Sequence, residues 1–172
     1  MVKKNYQVEL GDKRKTARAI ITNAQVSLKY ATTICNKIKG QLVNKSIASM
    51  QRIEAHEEYL PLTRYNKKIG HKKGNALGTT KSGRYPERTV AKFIELLKLV
   101  KNNAEAKGLD SEKLSVLNAF ASMGMSRYNS QPKGKIGGKM RRHKSTHLEI
   151  IVTEVKAWLK ENLFNKIWEK WN

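Results

Sequence analysis

Acidic residues are scarce in this chain. Against 35 Lys and Arg it carries only 14 Asp and Glu, a formal net charge of +21 over 172 residues. Solubility needs far less, and the usual partner of so much positive charge is a polyanion, most often nucleic acid. Cysteine is nearly absent too. A single Cys35 excludes an internal disulfide framework and suits a reducing compartment. No apolar run approaches the length of a membrane span. The opening MVKKNYQVELGDKRKT has no apolar h-region, so no secretory signal is expected there.

Recognisable catalytic and metal-binding patterns are missing as well. His56, His71, His143 and His147 fall at neither HExxH nor zinc-finger spacing, and Cys35 lies on an apolar helical stripe. The stretch GHKKGNALGTTKSG resembles a phosphate-cradling loop only superficially. Thr80 precedes Lys81-Ser82 where a glycine is required, and no buried strand leads into it. There is no GxSxG. The most basic segments contain no carboxylate, so a metal-dependent nuclease site there would lack its ligands. The chain reads as non-enzymatic, with no cofactor and no metal.

The positive charge that is present is concentrated. Pro61 to Tyr85 holds seven Lys/Arg and no acid, and Ser126 to His147 holds another seven and no acid. These two segments also contain seven of the eleven glycines. A charge run is often only a solvated face. Here, however, the runs are internal, glycine permits close backbone approach, and Tyr65, Tyr85 and Tyr128 stand beside arginines where they could stack on bases or sugars. His71 and His143 read as phosphate or base contacts, His147 as structural.

Hydrophobic periodicity supplies the frame. TARAIIT, Thr16 to Thr22, reads as a strand. Leu28, Ala31, Ile34, Cys35 and Ile38 recur at helical spacing, with Ser27 placed to cap and Gly40 placed as a C′ glycine. A second helix is expected from about Lys45 to His56 with Asn44 as N-cap, and Pro61 to Tyr85 as a long loop. Pro86 opens a third helix whose stripe runs Val90, Phe93, Ile94, Leu97, Val100 and Ala104 and stops near Gly108. Strands are expected over Leu114 to Gly124 and Leu148 to Val155. The basic segment between them makes a hairpin of roughly a dozen residues a side, projecting about 40 Å at 3.3 Å per residue. Such an arm has no second layer of its own and must borrow one from a partner. The last residues hold all three tryptophans, Trp158, Trp168 and Trp171, and read as one more helix, docked either on its own domain or on a neighbouring protein or RNA surface.

Several ordered motifs are similar to a known family. SLKYATTICNKIKG, PLTRYNKKIGHKKG followed by GRYPE, NNAEAKGLD and KMRRHKSTHLEIIVTE together resemble the universal large-subunit ribosomal protein L-twenty-two family, in its archaeal and eukaryotic form. The resemblance covers about Tyr6 to Glu154. It implies an α+β fold, with three helices packed on a small three-stranded antiparallel sheet and a long β-hairpin extension. The domain spans residues 1–154, with the basic loop at 61–85 and the hairpin at about 119–149. The helical tail 155–172 lies outside the family core.

The resemblance further implies a structural protein of the large ribosomal subunit, cytoplasmic, with large-subunit rRNA, neighbouring ribosomal proteins and the nascent polypeptide as partners and no membrane. Candidate rRNA contacts in the loop are Arg64, Tyr65, Asn66, Lys67, Lys68, His71, Lys72, Lys73, Lys81, Arg84 and Tyr85. Those in the arm are Arg127, Tyr128, Lys133, Lys135, Lys139, Arg141, Arg142, His143 and Lys144. The tip that would help line the polypeptide exit tunnel is Pro132, Lys133, Gly134, Lys135, Ile136, Gly137, Gly138 and Lys139. The rival reading on the same charge is a nucleoid-type DNA-binding protein, which should bind mixed duplex DNA as well as rRNA. A membrane-surface protein held by the Trp-rich tail is a second rival.

Overall fold

A computed structural model describes residues 6–8, 14–132, 134–135 and 137–155. The expected C-terminal helix therefore lies outside the described residues. The order of elements is β1 (Thr16–Ala24), α1 (Leu28–Ile38), α2 (Val43–Glu54), β2 (Glu58–Pro61), β3 (Asn75–Ala76), β4 (Gly83–Arg84), α3 (Glu87–Glu105), β5 (Leu114–Ser130) and β6 (Met140–Glu154). The expected α+β fold is present: three helices on a three-stranded antiparallel sheet of order β1-β6-β5.

One face of that sheet is the core. Small side chains on the outer strands, Ala17 and Ala19 on β1 and Ala119 and Ala121 on β5, flank the large Leu148, Ile150 and Val152 on central β6. Helices pack closely over the small residues. Ile34 and Ile38 of α1, Met50 and Ile53 of α2, and Phe93, Leu97 and Val100 of α3 are all fully buried there. Each fully buried aliphatic or Phe side chain contributes roughly 1.5–3 kcal/mol relative to exposure. On the opposite face Gln7 N–H donates to the buried Glu149 carboxylate at 3.0 Å, and the Arg18 guanidinium lies 4.4 Å from the centre of the Tyr6 ring.

The helix ends show which local signals decided. Gly40 stands at φ +76 just after α1, and its N–H bonds the Val116 carbonyl on β5, so the α1 exit is stitched to the sheet. At the end of α3, Gly108 (φ +74) and Leu109 return N–H bonds to Glu105 and Ala104, closing a Schellman motif. Helix α2 departs from expectation. It starts at Val43 after Leu42 rather than after Asn44. The Asn44 amide instead bonds the Glu112 carboxylate at 2.9 Å and accepts from Lys101, a tertiary pairing that outcompetes capping.

The basic segment after Pro61 is also less loop-like than its composition suggests. Strand β2 pairs parallel with β3 and antiparallel with β4, making a second small sheet of order β3-β2-β4. A Cβ on Gly83 would overlap the Tyr59 ring, so glycine allows this close pairing.

Candidate nucleic-acid interface

The two long strands of the main sheet continue past its edge as a two-stranded arm. Strand β1 last pairs with β6 at Ala24↔Thr146. Beyond that, β5 and β6 pair alone from Ser126↔Lys144 to Ser130↔Met140. About seven residues of β5 lie in this unbacked part, some 23 Å at 3.3 Å per residue, before the tip turns begin. The paired arm is thus shorter than the 40 Å anticipated, because the strand ladder ends at Ser130 and Met140 and the tip turns begin there.

A knot of polar groups fixes the root. Asn23 has a left-handed backbone, φ +54. Its Oδ1 accepts the Met125 N–H at 3.0 Å, and its own N–H donates to His147 Nδ1 at 3.2 Å. The Ser145 hydroxyl lies 2.6 Å from the Met125 carbonyl oxygen and 3.1 Å from Asn23 Oδ1. Thr146 donates its hydroxyl to the Val26 carbonyl at 2.9 Å. The β5–β6 register shifts here, between Met123 and Ser126, a bulge that re-aims the strands. His147 is thus structural, as its sequence position suggests.

The arm is basic on both faces. Tyr128 pairs with Arg142 and Ser126 with Lys144 on one face, and Arg127 with His143 and Asn129 with Arg141 on the other. All except Ser126 are exposed. Cations held close with no carboxylate among them repel, and each face needs anions from outside. At the tip, Gln131 N–H bonds the Lys139 carbonyl and Gly138 N–H returns to Gln131. Gly134 (φ +86) and Gly138 (φ +77) occupy conformations that favour glycine. Pro132, Gly134, Lys135, Gly137 and Lys139 are exposed there, while Lys133 and Ile136 lie outside the described residues.

The second basic segment folds back beside α1 and α3. Lys72 N–H bonds the Lys81 carbonyl, and His71 bridges to Ser82. Arg64, Tyr65, Asn66, Lys67, Lys68, His71, Lys73, Lys81 and Arg84 are exposed; Lys72 and Tyr85 are half-buried. Tyr85 is already engaged. It stacks on His56 at 4.7 Å between ring centres, with Lys72 Nζ 5.4 Å from its ring, while His56 Nε2 lies 2.8 Å from Glu87 Oε1. Tyr65 and Tyr128, 61% and 58% exposed, remain open for stacking. Among the described residues, no ion pair uses a Lys or Arg from either basic segment.

Between loop and arm lies an open groove of about 930 Å³. Tyr65, Arg127, His143 and Lys144, four of the candidate contacts, line it. So do Lys29, Arg88, Met123 and Met125, which sequence reading did not single out. Lys29 and Arg88 look in sequence like ordinary surface cations on helices, and Met123 and Met125 stand exposed beside the strand shift. Among the described residues, no three His, Cys, Asp or Glu side chains gather where they could hold a metal ion.

Comparison with known proteins agrees with this architecture. The family described as ribosomal protein L22p/L17e matches residues 19–153. A large ribosomal subunit protein uL22 from Ignicoccus hospitalis is 35% identical over 155 residues, spanning 88% of this chain and 98% of its own length. Its counterpart in Methanococcus aeolicus is 32% identical over 154 residues, 90% and 99% of the two chains. That of Cenarchaeum symbiosum is 30% identical over 149 residues, 87% and 96%. These are ribosomal proteins and not enzymes, in keeping with the lack of a catalytic pattern in the sequence. Sheet, helices, basic arm and matched sequence lead to one conclusion: the chain belongs to the L22p/L17e family of ribosomal proteins.

Proposed function

We propose that this chain is a structural constituent of the large ribosomal subunit in the cytoplasm, and that it binds large-subunit rRNA through its arm and basic loop. The observation that carries this reading is the arm's cationic surface on both faces, with no carboxylate among them and no sheet behind them. A flat polyanion would satisfy one face only. RNA folded around the arm satisfies both, and supplies the second layer the hairpin lacks. The names of the relatives, all large-subunit proteins, point the same way. Selectivity then comes from RNA shape, phosphates and 2′-hydroxyls more than from base edges. The tip, Pro132 to Lys139, reaches toward the polypeptide exit tunnel and meets the nascent chain, while the domain surface meets neighbouring ribosomal proteins.

Titrating the full chain against folded large-subunit rRNA transcripts and against mixed-sequence duplex DNA, across a range of salt, tests the RNA part. Tighter binding to rRNA at every salt concentration is expected. Equal affinity for the duplex would transfer the protein to the nucleoid class. A photo-crosslinker at Lys135 in translating ribosomes tests the tip: capture of nascent chain is expected, and capture of rRNA alone would remove the tip from the tunnel.

A further inference from the structure

The groove at the root of the arm has a composition that phosphate binding alone does not explain. Its basic side chains come from three elements: Lys29 from α1, Arg88 from α3, and Arg127 and Lys144 from the arm, with no Asp or Glu among the lining residues. Yet it also presents the thioethers of Met123 and Met125, 54% and 64% exposed, and the ring of Tyr65. Lys29 Nζ lies 5.0 Å from the centre of that ring. Tyr65 itself is held at φ +58, a left-handed conformation that bulky residues seldom adopt and that tends to occur where ligands are clamped. The start of α1 opens into the same space: Ser27, its N-cap, makes no side-chain capping bond, and no acidic residue stands in the first turn. The first amides of a helix have no partners within it and favour a negative charge.

We propose that this groove receives an unstacked nucleotide from a single-stranded stretch of RNA, an inference that rests on the RNA-binding reading above. The base lies against Met123, Met125 and the Tyr65 ring, whose faces accept any base. Its phosphates lie on Lys29, Arg88 and Arg127. The groove, about 930 Å³ and open on one side, has room for a nucleotide. A duplex leaves the apolar walls unused, because its bases are stacked and hidden. An apolar peptide or a neutral ligand leaves the cations unpaired.

A single-stranded RNA decamer bearing 4-thiouridine, and the same strand annealed to its complement, are the probes. The full-length chain is irradiated with each, and the crosslinked peptides are mapped. Crosslinks from the single strand to Tyr65 and to the Met123–Met125 peptide are expected, and absent with the duplex. The variants Tyr65→Ala and Met125→Ser should each lose about tenfold in single-strand affinity while duplex affinity stays within about twofold. Tyr65→Phe should bind as the parent does. Both positions are exposed, so the variants should fold, which circular dichroism checks. Crosslinks confined to the basic loop and arm tip, with Tyr65→Ala binding unchanged, would overturn the groove and leave RNA binding intact. Failure of the chain to bind either probe at low salt would overturn the RNA reading and the groove with it.

Discussion

Asn23 stands in a backbone conformation that costs most side chains about 1–2 kcal/mol, and its Oδ1 accepts the Met125 N–H at the strand shift where the arm begins. Replacing it with alanine leaves the strain and removes the acceptor. Asn23→Ala should therefore destabilise by about 2–3 kcal/mol, and Asn23→Gly by less, because glycine relaxes the backbone; urea unfolding of both variants checks the order. Gly124 is constrained from the other side. A Cβ there would sit 2.6 Å from Ser145 Oγ and 2.7 Å from Asn23 Oδ1, so Gly124→Ala should cost about 1–3 kcal/mol by the same measurement. Cys35 gives a pH signature. Burial, partly opposed by nearby Lys39, pushes its thiol up to about 12 from an ordinary 9.0. The folded state thus holds the proton more tightly than the unfolded one, so this contribution is complete below pH 9 and is lost as pH rises toward 12. The native thiol should resist iodoacetamide at pH 8 and react only on unfolding.

At the level of the element, the arm is a hairpin held together against its own charge. Backbone pairing runs from Ser126↔Lys144 to Ser130↔Met140, while Arg127 faces His143 across the pair. Amide protection in the free protein should fall sharply once β1 has left the sheet past Thr146, and the tip should be unprotected until RNA is added. Strong protection at Lys139 to Arg142 without RNA would contradict this. Changing Arg127, Arg141, Arg142 and Lys144 together to glutamine should relieve the repulsion and strengthen the free hairpin. It should also lower the slope of log affinity for rRNA against log salt by about three, as read from a salt titration.

The long elements were legible because their patterns are periodic. The stripe from Val90 to Ala104 could only be a helix, and two apolar strands flanking a glycine-rich basic segment could only be a hairpin. Strands β2, β3 and β4 were not legible. Pairings of two residues each leave no period, and the cations between them dominated the composition. The start of α2 was misplaced because Asn44 makes its bonds across the fold. The groove stayed hidden for a related reason. Lys29, Arg88 and Met125 come from elements far apart in the chain and share a groove only once the fold has formed, which no local pattern in the sequence encodes.

On the scale of the whole molecule, the charge is divided between two roles. The helices and main sheet carry mixed charge, with the described ion pairs lying on their surface or in their connections, as in Lys92–Glu95 and Lys113–Asp110. The loop and arm carry seven Lys/Arg each with no acid, and project this charge from the domain. A protein arranged in this way is incomplete without the polyanion that fills its basic surfaces, so its location in the cell should follow that polyanion. The partner can be identified with a tagged copy sedimented from lysate through a salt-containing sucrose gradient. Beside it runs a variant in which residues 128–142 are replaced by Asn-Gly, joining the paired Arg127 and His143 with a hairpin turn and sparing the Asn23–Ser145 knot. Intact protein should travel with the large-subunit peak, and the shortened variant should be depleted from it or trapped in lighter, immature particles. Intact protein remaining at the top of the gradient, or moving with DNA, would contradict the assignment to the large subunit.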